Sequence, residues 1–249
     1  MTDGYLSQSE AIQKVLQEKY AGKESEAFLA DEARIKAGEP WQYVLGYSTF
    51  LGCHIDLARR PMIPRPETAF WVEKVVAEWK SKWPVVALDL FAGSGNIGVA
   101  LLKWLPEARV MFSELDAALL PGIEESMIKS AVDPSLSTLI AGDSLEQVRG
   151  RFDIICANPP YIHPEAEGEL DPEMKHEPRI AFFGSADGLA HTRELIEKGK
   201  QFLTQRGVIY CECDESQVSE LKATLEKTDW KWEFWDDPYN HPGVVVLRQ

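Results

Sequence analysis

Val85-Val86-Ala87-Leu88-Asp89-Leu90-Phe91-Ala92-Gly93-Ser94-Gly95-Asn96-Ile97-Gly98 is the stretch whose reading decides the fold. The β-branched, apolar start reads as a buried strand, Gly93-Ser94-Gly95 as a tight turn, and Asn96 to Trp104 as a helix that begins there. Glycines at 93 and 95 let the backbone turn sharply and approach a ligand with no Cβ in the way. The helix start adds unpaired N–H groups. Such a unit holds a nucleotide-like ligand at the carboxyl end of a parallel strand. No Gly-Lys-Ser/Thr follows, so it is not a phosphate loop of the NTPase kind. By letter, Gly93-x-Gly95-x-x-Gly98 also satisfies the dinucleotide pattern, and this stretch alone leaves NAD open. Asp89, just upstream, favours a cationic or hydroxyl-bearing ligand such as a sulfonium cofactor, because an anion beside a pyrophosphate is repelled.

Working outward, the next strand, Ala108 to Ser113, ends at Glu114, where a strand-tip carboxylate suits a pair of ribose hydroxyls. Asp143, in Ala141-Gly142-Asp143-Ser144, follows a short strand at the place where an adenine edge would lie. Each acid alone reads more readily as a solvated loop carboxylate than as a ligand contact, and it is three at successive strand ends that make a pattern. A further buried strand, Phe152 to Ala157, runs into Asn158-Pro159-Pro160-Tyr161. In isolation that is an ordinary proline-rich turn. Beside the glycine loop it has a chemical reading. A planar nitrogen with a delocalised lone pair needs both of its N–H groups accepted if it is to face an electrophilic carbon. Asn158 offers a side-chain carbonyl and Pro159 a backbone carbonyl. Tyr161 can lie flat on the planar group, and the two prolines stiffen the loop. Asn158, Pro159 and Tyr161 are the catalytic candidates, and Pro160 joins them as a substrate contact. Methylation of an amide or an exocyclic amine is the expected chemistry.

With these motifs in place, the chain resembles the HemK/PrmC family of S-adenosylmethionine-dependent release factor glutamine methyltransferases, from about Tyr43 to Gln217. Ile63-Pro64-Arg65-Pro66-Glu67-Thr68 resembles the family's I-P-R-P-E-T-E, with Ala69 where the last acid usually stands. Tyr43-Val44-Leu45-Gly46 with Phe50-Leu51-Gly52 resembles its hairpin, and Glu177-Pro178-Arg179 with Asp187-Gly188-Leu189 its E-P-R and D-G-L segments. The resemblance implies that Phe91, Gly93, Gly95, Asn96, Ile97, Glu114 and Asp143 bind S-adenosylmethionine, with Glu67, Thr68, Asp89 and Asn158 near it. It further implies that Asn158, Pro159, Pro160 and Tyr161 hold a glutamine of a class 1 peptide chain release factor. The related ribosomal-protein glutamine methyltransferases usually read R-S-P where this chain has R-P-E-T. Toward the C-terminus the match loosens: Gly207 to Asp214, with Gln217, keeps Glu212 and Gln217 but loses a glycine.

The implied fold is α/β, a doubly wound seven-stranded sheet of the class I methyltransferase type with its last two strands an antiparallel pair. A small N-terminal helical domain (1–40) and a β-hairpin with a Pro-rich linker (41–66) precede the methyltransferase domain (67–249). Ser7-x-x-Glu10 is a capping box for a first helix, a second runs from about Ser25 to Lys36, and Trp41 to Leu57 reads as the hairpin. That helical part is shorter than is usual in the family.

Composition agrees. A chain of 249 residues with 45% hydrophobic content can bury one α/β core and a small appendage. A net charge of −14 and a pI near 4.9 argue against nucleic acid, whose phosphates are met by clustered Lys and Arg. That weighs against the main alternative, an N6-adenine or other nucleic-acid amino-methyltransferase, which poses its site the same two-donor problem. A ribosomal-protein glutamine methyltransferase is the other alternative. No membrane-spanning run or basic leader is read, and a cytoplasmic monomer with reduced Cys53, Cys156, Cys211 and Cys213 is expected. The five histidines form no ligand cluster, so no metal is expected. Trp230, Trp232, Phe234 and Trp235 read as a packed strand rather than a base-stacking platform, and Glu165 to Glu173 as a solvated loop beside the site.

Overall fold

The computed structural model describes residues 2–82 and 84–249. Helix α1 (Gln8–Tyr20) starts at the capping box, with Ser7 accepting from Glu10 and the Glu10 side chain reaching back to the Ser7 amide. Its buried face is Ala11, Ile12, Val15 and Leu16. Helix α2 (Glu26–Lys36) is capped by Ser25. A third helix, α3 (Trp41–Leu45), stands where the first part of a hairpin was expected. The reason lies in its spacing: Trp41, Val44 and Leu45 recur at i, i+3 and i+4 and close one apolar cluster with α1 and α2, and Gly46, at φ 93°, ends the turn. The hairpin is therefore shorter, β1 (Tyr47–Phe50) and β2 (Cys53–Asp56), joined through Leu51 and Gly52, both at positive φ. Both of its edges are covered. Asp3 accepts from the Thr49 amide at 2.6 Å, and Ser130 and Ser126 accept from the amides of His54 and Asp56 at 2.9 and 2.8 Å.

Next come α4 (Pro66–Trp79), with proline at its first turn, β3 (Val85–Leu90), α5 (Asn96–Trp104), β4 (Ala108–Glu114), α6 (Leu120–Lys129), β5 (Ser137–Ala141) and β6 (Phe152–Ala157). The chain closes with α7 (Ala190–Lys198), β7 (Leu203–Glu212), α8 (Val218–Leu225), β8 (Lys231–Asp236) and β9 (Pro242–Arg248). The large sheet has seven strands in the order β5-β4-β3-β6-β7-β9-β8, with β9 antiparallel to both β7 and β8. The seven strands and the antiparallel final pair are those expected from the sequence. Side chains alternate between two apolar layers. Ala87, Ile154, Tyr210 and Val246 enter one, and Leu88, Ile155, Cys211 and Val245 the other. The C-terminal aromatics are packing residues: Trp235 lies 5.2 Å from Tyr210, Trp232 and Phe234 rest on the opposite layer, and Trp230 donates to the Ile196 carbonyl. Residues 164–169 and 172–176 form two short 3-10 turns. Because β3 leads outward to β4 and β5 on one side while β6 lies parallel to it on the other, the direction in which strands are added to the sheet reverses between β3 and β6. The loops 91–95 and 158–161 leave adjacent strand ends there, which is where open α/β sheets hold their ligands.

Candidate active site

A cavity of about 440 Å³ opens at this reversal. Its walls bring together Thr68, Phe91, Gly93, Asn96, Ile97, Glu114, Asp143 and Asn158. The loop is held by its own backbone: the Ala92 amide donates to the Ser113 carbonyl at 3.0 Å, and that of Gly93 to Glu114 Oε2 at 2.7 Å. Phe91 sits at φ 62°, a conformation that non-glycine residues adopt at a cost, and its ring lies 4.7 Å from that of His191. Burial pushes the Glu114 carboxyl up, opposed by the amides of Asp116 and Gly93 that donate to it.

Asp89, Gly95 and Glu67 are not on this wall. Asp89 is 1% exposed, and its Oδ2 accepts from the Gly98 amide at 2.8 Å behind the loop. Burial raises its pKa to about 8, and its Oδ1 has no partner among the described residues. It braces the turn rather than facing a ligand. Gly95 acts through space as well as conformation: at φ 75°, a Cβ there would lie 2.7 Å from Ile123.

A second cavity, of about 220 Å³, lies on the other side of Asn158 and is lined by Pro159, Tyr161, Glu67, Tyr5, Arg65 and Glu212 among others. Asn158 is the only one of the proline-loop residues that walls both. Pro160 faces the first cavity, so the structure separates it from its neighbours Pro159 and Tyr161. The Asn158 Nδ2 donates to Thr68 Oγ1 at 3.3 Å. No donor among the described residues is bonded to its Oδ1 or to the Pro159 carbonyl. Tyr161 donates through its hydroxyl to Glu212 Oε1 at 3.1 Å, and its carbonyl accepts from Gln217 Nε2 at 3.2 Å.

The segment from Glu177 to Leu189 clamps this loop. Glu177 accepts from Arg65 at 2.6 Å and from the Ile63 amide at 2.8 Å, which ties the linker to the segment. Ile162 donates to the Phe182 carbonyl at 2.8 Å. A Cβ at Gly184 would lie 2.3 Å from the Pro160 carbonyl oxygen, and one at Gly188, where φ is 66°, only 2.1 Å from that of Tyr161. Glu212, Trp71, His191 and Tyr5 also stand at the site with no role assigned from sequence. Trp71 is buried and donates to Glu212 Oε2 at 2.8 Å, and the Tyr5 hydroxyl reaches Glu67 at 3.3 Å. Only Glu212 carried a signal, as an acid directly after the apolar run Val208 to Cys211.

The methyltransferase small domain family matches residues 68–174. The release factor glutamine methyltransferase of Agrobacterium fabrum (strain C58) is 33% identical over 205 residues, 80% of this chain and 71% of the relative. That of Streptococcus pneumoniae (strain R6) is 32% identical, over 81% of this chain and 72% of the relative. Among solved structures, the hMettl16 catalytic domain in complex with MAT2A 3'UTR hairpin 1 superposes with a TM-score of 0.65 at 13% identity, covering 98% of this chain and 91% of that one. At that identity the likeness concerns the fold alone, the class I methyltransferase sheet.

Proposed function

Since the chain belongs to the release factor glutamine methyltransferase family, we propose that it methylates the side-chain amide of the glutamine in the Gly-Gly-Gln motif of class 1 peptide chain release factors, in the cytoplasm where those factors act. The observation that supports this most is the place of Asn158. It walls both cavities, with its carbonyl oxygen and that of Pro159 unclaimed by donors among the described residues. A cavity of about 440 Å³, with an apolar wall and carboxylates at strand tips, fits S-adenosylmethionine in size and polarity. When bound, S-adenosylmethionine supplies a methyl group on a positively charged sulfur and leaves as S-adenosylhomocysteine, the glutamine nitrogen gaining the methyl and losing one proton to water.

The remaining work is positioning. Glu114 accepts hydroxyls of the cofactor's ribose, Asp143 lies toward its base, and Phe91, Gly93, Asn96 and Ile97 shape the wall between them. Thr68 and Asn158 line the end nearest the second cavity, and Asp89, Gly95 and Glu67 support the arrangement from outside the cofactor wall. On the other side, Asn158 Oδ1 and the Pro159 carbonyl accept the two N–H groups of the glutamine amide, which orients its nitrogen across Asn158 toward the first cavity. Tyr161 bounds the amide plane, and the small second cavity admits a glutamine flanked by residues without bulk. Once one hydrogen has been replaced by methyl, only one donor is left for the two acceptors, so transfer stops after a single methyl. The test is mass spectrometry of a purified release factor after incubation with enzyme and cofactor. One methyl on the Gly-Gly-Gln glutamine is expected. Preferential methylation of nucleic acid or of a ribosomal protein would overturn the proposal.

A further inference from the structure

We infer that Glu212 is a positioning residue for the transfer: acting through Thr68, it decides which end of the Asn158 amide faces the substrate, and it anchors Tyr161 from the same carboxylate. This rests on the function proposed above. Glu212 ends β7 and is 7% exposed. Its carboxylate receives three donors: Thr68 Oγ1 at 2.8 Å and Trp71 Nε1 at 2.8 Å on Oε2, and the Tyr161 hydroxyl at 3.1 Å on Oε1. Thr68 and Trp71, three residues apart, present both groups from one face of α4.

Proton counting makes this arrangement directional. Burial pushes the Glu212 carboxyl up, and the Trp71, Thr68 and Tyr161 donors hold it down; as a carboxylate it only accepts, so the single hydroxyl hydrogen of Thr68 is committed to Glu212. Toward Asn158 the Thr68 oxygen can then only accept, and it faces the amide nitrogen, at 3.3 Å. The Asn158 carbonyl is thereby turned away from Thr68, free to accept from a substrate amide. Without an acceptor at position 212, the Thr68 hydroxyl is released to donate to Asn158 instead. The side-chain amide then turns over and presents an NH2 group to the NH2 group of the substrate, two donors face to face. The same carboxylate holds the Tyr161 ring by its hydroxyl, so one buried group coordinates two parts of the substrate cavity that lie on different sides of it.

Three variants test this. Glu212→Leu is expected to lower kcat about a hundredfold, the loss typical of a misaligned reacting group, with cofactor Kd by calorimetry within about threefold of wild type. Thr68→Val, which leaves Glu212 bonded to Trp71 and Tyr161, is expected to follow it, and so carries the test if Glu212→Leu does not fold. Glu212→Gln is expected to recover most of kcat. The Trp71 N–H and Thr68 O–H demand an acceptor on their side, so the glutamine oxygen sits there and Asn158 keeps its orientation. The second readout needs no turnover. Side-chain amide signals of Asn158 in a 15N spectrum, identified by their loss in Asn158→Ala, are expected to shift in Thr68→Val and Glu212→Leu and to stay in place in Glu212→Gln. Wild-type kcat in Thr68→Val or in folded Glu212→Leu, a loss confined to cofactor affinity, or unmoved Asn158 signals would overturn the inference. If wild-type protein transfers no methyl to a release factor, the function proposed above fails, and the amide signals alone decide the role of Glu212.

Discussion

The two cavities that meet at Asn158 are built in opposite ways. The first is centred on the continuous loop Phe91 to Ile97, whose amides and helix start are held by two carboxylates, Glu114 on the Gly93 amide and Asp89 on the Gly98 amide. The wall around Pro159 and Tyr161 is assembled from side chains far apart in the chain. Tyr5 precedes α1, Arg65 and Glu67 lie where the linker enters α4, and Glu212 ends β7; behind them Thr68 and Trp71 of α4 bond to Glu212, and Glu177 pairs with Arg65. A loop anchored through its amides tolerates change in the side chains it displays but not in its glycines or in the carboxylates that hold it. A wall made of side chains fails when one member loses its partner, because the others are buried with it. The difference matches the two tasks: one side holds a cofactor of constant shape, the other aligns a single nitrogen.

If that division holds, the largest effect is expected at Asn158, which lines both cavities, and on rate alone. Asn158→Ala should lower kcat by about 10²–10³-fold, the range for removing one preorganised polar contact to a transition state, with cofactor affinity unchanged. Steady-state kinetics paired with calorimetry checks it, and a loss carried by cofactor Kd would merge the two sides into one. The converse holds across the loop. Glu114→Ala should weaken S-adenosylmethionine binding by roughly 1.5–3 kcal/mol through lost charge-assisted hydrogen bonds, while kcat at saturating cofactor stays near wild type.

A smaller effect tests the clamp. Gly188→Ala places a Cβ against the Tyr161 carbonyl at a positive φ and should cost about 1–3 kcal/mol of stability. Release-factor KM should rise and cofactor Kd should not, in a comparison of denaturation midpoints and kinetics. Unchanged stability would show that the clamp is loose.

The remaining prediction concerns pH. The Asp89 carboxyl, at about 8 in the fold against about 3.9 in an unfolded chain, is protonated in the native state and ionised in the unfolded state between those values. The unfolded state then binds fewer protons, so this group's contribution to stability is fully present below pH about 4 and is lost as pH rises toward about 8. Asp89→Asn, isosteric and uncharged, should flatten that part of the Tm profile. Parallel profiles for the two proteins would mean that Asp89 is ionised behind the loop.

The glycine loop, the strands on either side of it and Asn158 to Tyr161 were legible from sequence because each is local: a strand of buried residues, two glycines, a helix start, an Asn-Pro-Pro-Tyr turn. Period and turn chemistry specify such units without reference to the rest of the chain. The short helix at Trp41–Leu45 was missed because a five-residue segment, apolar but for Gln42, fits helix and strand equally. Its contact with α1 and α2 chose between them. Asp89 illustrates the limit on the site. Its position upstream of the loop suggested a ligand contact, and only the packing of Gly98 and Phe112 around it shows the carboxyl turned inward. Glu212 is the opposite case, an acid at the end of an apolar run whose partners, Thr68, Trp71 and Tyr161, lie 51 to 144 residues away in sequence. Hydrogen-bond direction between such groups depends on which protons are already committed elsewhere, and that is settled only when tertiary structure brings them together.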